Sequence, residues 1–549
     1  MEARGVRGKL HEAKRIGSVR GRRFCPCQSL TIGHSRRHCR MVASGAAAAS
    51  SVCGAPGEEA SFISALKSEV LTYTAMNGLL MLESSDEVGL VHVPVSLLPA
   101  MAVPRGLFEE VRALAEPFNV LVERFASDPV AIKETLAAAA KQDEFTRDLI
   151  RVYDAVLGGP RPSVARKNLA VNRSDYMMDQ QSQRLLQVEL NTISSSFGAQ
   201  STILAQMHRQ ILGKFDFLRQ SHRGLWPGGS LLEESEDAAS AHSRVPYQDT
   251  IGDIVDAFAA AAGEYRGSRG SALGPGGAVV LMVVQDDERN VMDQQILEQE
   301  LWRRHGVRME RRTLAQVAEE ATLGEADGIL RLGDGREVAV SYLRAGYSPA
   351  DYKGAEEWEA RLMLEQSEAF KCPSIAYQLV GSKKIQQYLA EEGALERFMG
   401  KGEESASLRR CFASLWGLED LGDPKTKEVI DHAKKNPHLY VLKPQREGGG
   451  NNLYDEELRE ALEGEGDLSA YILMQRIVSP MHKSYLLRKG ECVNADTLSE
   501  LGIYGVYLCD NGREIINKCS GALVRTKLAS SNEGGVTAGF SCLSTPILH

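Results

Sequence analysis

Three stretches of this chain combine residue types that handle phosphate and carboxylate groups. In the first, Lys443-Pro444-Gln445-Arg446-Glu447 runs into Gly448-Gly449-Gly450-Asn451-Asn452, directly after an apolar Leu439-Tyr440-Val441-Leu442. Consecutive glycines lose much backbone entropy on folding, which makes sense where backbone N–H groups must approach an anion such as a polyphosphate, or where a loop closes. Lys443 supplies a point charge for phosphate and Glu447 a carboxylate suited to Mg²⁺, although a plain flexible loop has the same glycine content. In the second stretch, residues 187–191 have strand character, so Glu189 and Asn191 share a face. A carboxylate beside an amide oxygen is an edge for magnesium, or a polar pair on a solvent-facing edge strand. Ser194, Ser195 and Ser196 follow, suited to donating to a carboxylate or to capping a helix. In the third, Arg525 and Lys527 precede Glu533-Gly534-Gly535-Val536-Thr537-Ala538-Gly539, a pairing that fits an acidic substrate or a solvated strand. Neither a GxxxxGK[ST] loop nor a GxGxxG opening a helix after a strand is present, so nucleotide binding here needs a different fold.

The elements that must position these residues follow from periodicity and breakers. Residues 62–77 repeat apolar positions at helical spacing, Val91, Val93 and Val95 alternate as a strand, and Pro99 and Pro104 break the chain. Residues 107–157 read as largely helical, with an exposed boundary at 141–144. A low-complexity insert near 224–277, with Pro227-Gly228-Gly229, an acidic run at 233–237 and glycines from 267 onward, predicts a surface excursion around a short helical piece. Residues 278–284 and 338–343 look like buried strands flanking a helix at 293–304, which predicts an α/β subdomain over 278–380. Beyond it, 440–443, 471–474, 505–508 and 515–517 are short strand candidates. The expected division is a leader at 1–57, a body at 58–277, the subdomain at 278–380 and a C-terminal region at 381–549.

Hydrophobic residues make up 43% of the 549 and charged ones 25%, which suits a globular protein of several packed domains. The apolar run at 277–284 is bounded by Pro275 and by Gln285-Asp286-Asp287, too short for the ~20 helical residues that cross a bilayer. Net charge is −9, and because the first 57 residues hold eleven Lys or Arg against Glu2 and Glu12, the remainder is more acidic still. That balance argues against general nucleic-acid binding and requires a locally basic pocket for any anionic substrate. The leader, rich in Arg, Ser, Gly and Ala and poor in acids, reads as an organellar transit peptide; a disordered tail and translation from Met41 are the alternatives. Cys25, Cys27, Cys39 and Cys53 lie in it, and the other six of the ten cysteines are scattered without metal-ligand spacing, as in a reducing compartment.

Taken in order, RSDYM, VELNTISSSFG, LKPQREGGGNNLY, SELGIYGVY, and RTK followed by GGVTAG resemble eukaryotic glutathione synthetase, an ATP-grasp ligase, from about Glu59 onward. The resemblance implies an α/β ATP-grasp fold with an inserted substrate-binding subdomain and glycine-rich lids. It implies that Glu189, Asn191 and Glu447 hold Mg²⁺, and that Lys383 and Lys443 contact ATP phosphates beneath a loop of Gly448, Gly449, Gly450, Asn451 and Asn452. Met474, Gln475, Arg476 and Ile477 would line the adenine and Glu500 hold the ribose, with Tyr454, Lys527 and Glu533 completing the nucleotide site. For γ-glutamylcysteine the matched positions are Arg173, Ser194, Ser195, Ser196, Glu288, Arg289, Asn290, Gln294, Arg344, Ala345, Gly346, Tyr347, Arg525, Val536 and Thr537. Arg525, with Lys383 and Lys443, would act on the developing charge as glycine is joined to the dipeptide, and a homodimer is implied. Two departures stand out: Met474-Gln475-Arg476-Ile477 where many relatives read MEKI, and Thr537 where the family usually has alanine. The second bears on glycine against β-alanine as acceptor. A homoglutathione-type ligase and a catalytically silent nucleotide-binding protein are the competing readings. The leader points to plastid or mitochondrion, with cytosol as the alternative.

Overall fold

A computed structural model describes residues 56–84, 89–162, 166–214, 243–274, 277–447, 450–532, 534–537 and 539–549. Most of the leader lies outside these residues, as do Gly448, Gly449, Glu533 and Ala538.

The strand Lys167–Asp179 is buried almost throughout, as expected of a strand covered on both faces. One edge pairs antiparallel with Glu491–Asp510, from Leu501↔Tyr176 to Asp510↔Lys167. The other pairs antiparallel with Arg184–Asn191 and, at its start, parallel with Phe370–Cys372 through Lys371↔Asn168. Parallel pairing continues outward through Glu337–Leu343, Ala278–Val283 and Met309–Arg312, with the helix Val291–His305 as one crossover. Residues 278–380 thus have the expected strand–helix alternation, yet they extend the main sheet and do not build one of their own. On the far side, His482–Arg488, Val95–Ser96, Ser541–Ser544, Arg513–Leu528 and Glu491–Asp510 pair in a closed ring.

Two apolar cores cover the two faces. Helices Arg105–Ala113, Ala115–Ala126, Pro129–Gln142 and Glu144–Leu157 pack on one, and Gly198–Lys214, Thr250–Arg269 and Val291–His305 on the other. Alternation along the central strand sorts its side chains, Ala170 to the first core and Leu169 and Val171 to the second. A separate three-stranded sheet orders Leu415–Gly417, Ile472–Gln475 and Tyr440–Lys443, with helices Pro424–Lys435 and Asp455–Glu463 on one face. Among the described residues, no helix is long and apolar enough to cross a membrane.

Three expectations are corrected. The 224–277 segment is not a surface excursion throughout: Thr250–Arg269 is a twenty-residue helix whose Ile254, Val255, Phe258, Ala261 and Tyr265 are buried in the second core. Its alanines mimic low complexity, yet Ala257, Ala261 and Ala262 are buried in the packed face; residues 215–242 and 275–276 lie outside the described part. The strand candidates at 505–508 and 515–517 are fragments of one long hairpin, Glu491–Asp510 with Arg513–Leu528. Glycines that read as breaks sit there because neighbours approach closely. A Cβ on Gly502 would lie 2.8 Å from Arg173 Cδ, and one on Gly505 2.7 Å from Asn119 Oδ1. Finally, the 141–144 boundary is not wholly exposed, because Asp143 turns inward and caps the next helix by accepting from Thr146 N at 2.8 Å.

His208 ties three segments together. Its ring contacts Thr545 Oγ1 at 2.7 Å and the Ser96 carbonyl at 3.1 Å, and burial pushes its pKa down to about 4. The unfolded chain therefore takes up a proton near pH 6.5 that the folded chain refuses, so this stability is full above that pH and is lost as pH falls toward 4. Lowering the pH from 7 to 5 is expected to cost about 2 kcal/mol through this residue. Urea midpoints at the two pH values should converge in His208→Gln; an unchanged gap would assign the acid sensitivity elsewhere.

Candidate functional site

Register brings the chemistry together. Pairing of Arg173 with Asn191 and of Asp175 with Glu189 sets four polar side chains on adjacent strands, and Gly502, opposite Asp175, leaves room above them. Glu500 and Arg525 pair across the long hairpin. Asp175 is fully buried and accepts from Arg173 Nε at 2.7 Å, Arg173 NH2 at 2.9 Å, Asn191 Nδ2 at 2.8 Å and Arg525 NH2 at 2.9 Å. Arg525 NH2 also reaches Glu500 Oε1 at 2.8 Å.

From the facing sheet, Lys443 ends the strand Tyr440–Lys443 and donates to the Val188 carbonyl at 2.9 Å. Lys383, the first residue of the helix Lys383–Ala390, places Nζ 3.1 Å from Glu189 Oε2 and 2.9 Å from Glu447 Oε1. Burial pushes the Glu189 carboxyl up, but Lys383, Lys443 and Arg525 outweigh it and hold it well below the usual range. Glu447, answered mainly by Lys383 and repelled by Glu189, stays above it because burial prevails. Burial also raises Glu500 and pushes Lys443 down to about 8, against the attraction of Glu189. Two acids on one lysine with opposite shifts form a site whose charge balance depends on cations.

Glu189, Glu447 and the Asn191 oxygen form an all-oxygen donor set suited to a hard divalent cation. The Asn191 amide nitrogen is committed to Asp175, which leaves its oxygen for the cavity. Asp175, Glu189 and Glu500 also bring carboxylate oxygens within 4.8 Å of one another. Asp175 and Glu500 are answered by arginines, so they suit a cation less well than the first set.

A second group forms around Asp293. Its carboxylate accepts from Phe197 N at 3.0 Å, Ala199 N at 3.1 Å and Gln200 N at 3.3 Å at the start of the helix Gly198–Lys214, where the helix dipole favours an anion. Arg344 NH1 joins it at 3.0 Å, both side chains buried. This fastens the turn carrying Ser194, Ser195 and Ser196, in which Ser194 and Phe197 hold φ of 53° and 68°, a region non-glycine residues seldom adopt. Ser194 Oγ donates to Leu343 O, and the Ser196 carbonyl accepts from Tyr504 OH at 2.7 Å. Arg289 NH1 reaches the Thr537 carbonyl at 2.8 Å and ties this side to the C-terminal glycine loop.

Most of these groups line one cavity of about 820 Å³, with Asp175 and Asp293 buried behind the residues that do. Of the residues read from sequence it takes in Arg173, Glu189, Asn191, Ser194, Ser195, Ser196, Glu288, Arg289, Asn290, Arg344, Ala345, Tyr347, Lys383, Lys443, Glu447, Gly450, Asn451, Asn452, Tyr454, Glu500, Arg525, Lys527, Val536 and Thr537. Gln294 stands behind the wall, donating to Glu288 Oε2 at 2.8 Å, and the Gly346 carbonyl accepts from Gln378 Nε2 at 2.8 Å. Met474, Gln475, Arg476 and Ile477 do not line it directly. Met474 and Ile477 pack in an apolar cluster against Met177, Val188 and Tyr454, which do. Arg476 instead bridges the start of the helix Asp455–Glu463 and the loop at 532, with NH1 3.3 Å from Asp455, NH2 3.2 Å from Asn532, and its guanidinium 5.5 Å from the Tyr454 ring centre. Gly448, Gly449 and Glu533 are outside the described residues.

Sequence reasoning missed Asp175 and Asp293 as site residues. Asp175 had a usable signal, since Arg173 and Asp175 alternate onto one strand face; Asp293, at a helix start, reads as an ordinary first-turn acid.

The model of the eukaryotic glutathione synthase ATP-binding domain matches residues 60–548. A chloroplastic glutathione synthetase of Solanum lycopersicum is 41% identical over 89% of this chain and 84% of its own length. The chloroplastic enzyme of Arabidopsis thaliana is 40% identical over 88% and 85%, and the glutathione synthetase of Homo sapiens 37% over 84% and 91%. In fold, the chain superposes on a glutathione synthetase-like effector from Globodera pallida in apo form with a TM-score of 0.68, covering 91% of this chain and 99% of that one at 18% identity.

Proposed function

Since the chain belongs to the eukaryotic glutathione synthase family and is an ATP-dependent ligase of α/β ATP-grasp type, we propose that it joins glycine to the cysteinyl carboxylate of γ-glutamylcysteine. The observation that carries this reading is a cavity lined by Lys383, Lys443, Glu189 and Glu447 together with Arg173, Arg344 and Arg525. One side is built for a polyphosphate with a divalent cation, the other for a substrate bearing several carboxylates.

A carboxylate forms no amide until its oxygen is a leaving group. The cysteinyl carboxylate oxygen attacks the γ-phosphorus of ATP, the bond to the β-phosphate oxygen breaks, and ADP leaves an acyl phosphate. The neutral amine of glycine attacks the carbonyl carbon, the C–N bond forms, phosphate departs, and the amine proton goes to phosphate or solvent. Lys383 and Lys443 hold the phosphate oxygens while charge moves between them, the positioning and electrostatic work that dominates phosphoryl transfer. Arg525, held by Asp175 and Glu500, faces the developing charge. Glu189, Asn191 and Glu447 hold Mg²⁺, which when bound offsets phosphate charge. The apolar cluster of Met474 and Ile477 with Val188 and Tyr454 backs the adenine. The two glycine loops exclude water from the acyl phosphate. We place the enzyme in an organelle reached through the 1–57 leader, which the names of the chloroplastic relatives support, and read it as a homodimer.

The test is phosphate release and product mass from the full chain supplied with ATP, Mg²⁺, γ-glutamylcysteine and either glycine or β-alanine. Glycine-dependent turnover with the tripeptide mass is expected. Preference for β-alanine would reassign the acceptor, and silence with both would end the ligase reading.

A further inference from the structure

We propose that Asp175 is a positioning residue for this reaction, setting the separation of the Arg173 and Arg525 guanidinium groups and the rotamer of Asn191. The inference rests on the ligase reading. Asp175 lies on the central strand with no exposed surface, opposite Gly502, where a side chain would lie 2.8 Å from its Oδ1. Both oxygens are used: Oδ1 takes Arg173 Nε, while Oδ2 takes Arg173 NH2, Asn191 Nδ2 and Arg525 NH2, at 2.7–2.9 Å. Among the described residues, Asp175 is the one side chain that accepts from all three of these partners.

Two guanidinium groups this close, Arg173 buried and Arg525 partly so, repel, and without an anion between them they spread or lose their charge-assisted contacts. Asp175 holds them together before substrate arrives and leaves for substrate the N–H groups that the Ser196 carbonyl and Glu500 do not take. The planar fork of Arg173 meets the carboxylate at two points, so its direction as well as its distance is set. Committing the Asn191 amide nitrogen leaves the amide oxygen as the atom this residue can offer, two residues along the strand from Glu189. One carboxylate thus aligns the dipeptide end with the phosphate end, and acts through other residues.

In the full chain, Asp175→Asn keeps the shape but presents an amide N–H to donors. The kcat is expected to fall about 100-fold through Arg525, and the KM for γ-glutamylcysteine to rise about tenfold through Arg173. The KM for ATP should rise less than the dipeptide's, by no more than about threefold, since Asn191 alone of the phosphate-side residues is released while Lys383, Lys443, Glu189 and Glu447 keep their contacts. A merely structural role would lower the melting temperature and the active fraction with both KM values unchanged. That result, or an ATP KM rising in step with the dipeptide's, would overturn the proposal. Should Asp175→Asn alone fail to fold, the charge-balanced Asp175→Asn/Arg525→Gln is compared with Arg525→Gln. If Asp175 acts through Arg525, adding the first change lowers kcat by no more than about threefold, whereas a further fall of about tenfold or more refutes it. Wild-type turnover, measured in parallel, tests the ligase reading alone. Calorimetric binding of γ-glutamylcysteine gives the variant-to-wild-type ratio without turnover, so the two failures remain distinct.

Discussion

A chain carrying Lys383→Met retains about one thousandth of wild-type turnover or less, and Mg²⁺ raises its melting temperature more than it raises the wild type's. The reason is the triangle that Lys383 completes, with Nζ 3.1 Å from Glu189 and 2.9 Å from Glu447. Without it two carboxylates share one pocket with only the more distant Lys443 and Arg525 to answer them, and removing one partner of a buried charge group typically costs about 3–5 kcal/mol. Glu447, already held above the usual carboxylate range, is the acid that takes a proton. A protonated Glu447 neither holds a divalent cation well nor balances a polyphosphate. Excess Mg²⁺ supplies the missing positive charge and recovers stability, but it cannot restore a donor to the γ-phosphate. Steady-state turnover and thermal melts with and without Mg²⁺ decide the matter. Turnover within tenfold of wild type would show that Lys383 only holds the fold.

Asp293→Ala is expected to destabilise the chain by about 3–5 kcal/mol and to raise the KM for γ-glutamylcysteine about tenfold, with the KM for ATP little changed. Three backbone N–H groups at the start of the helix Gly198–Lys214 lose their acceptor together, and Arg344, almost wholly buried, loses its counter-ion. The strained turn at Ser194 and Phe197 is then free to relax, and it carries the serines that face the cavity. Asp293→Asn, which still accepts from the helix N–H groups, should lose less stability but show a similar KM. Urea unfolding followed by circular dichroism, with steady-state kinetics, checks both. A loss below about 1 kcal/mol would mean that Asp293 behaves like a surface ion pair.

Much of the site was legible because phosphate and carboxylate chemistry selects residue types that leave a local trace. Lys443, Glu447 and the glycines that follow are contiguous, and Glu189 with Asn191 obeys the two-residue period of a strand. What could not be read is how distant segments meet. Nothing local to Lys383 shows that its ammonium will sit between acids from residues 189 and 447; that follows from the packing of one helix end against two sheets. Arg173, Arg344 and Arg525 were recognisable as carboxylate binders, but Asp175 and Asp293, which hold them, look like any other acid in a strand or a helix start. The fold was misread where composition imitates a loop. Alanines in the helix Thr250–Arg269 reflect its packing in the core, and glycines such as Gly502 and Gly505 in the long hairpin reflect side chains crossing over the backbone.

The strand Lys167–Asp179 gains its antiparallel neighbour from residues 501–510, and that neighbour is itself closed by Arg513–Leu528. During synthesis the first of these emerges long before the last. At ribosomal rates of about 5–20 residues per second, one edge of the central strand waits on the order of 15–60 s for its partner. An unpaired, apolar strand edge is a template for adhesion to other chains over that interval. Full-length chains are therefore expected to depend on chaperone holding until their last tenth has been made, and C-terminal truncations should accumulate as aggregates and not as smaller folded domains.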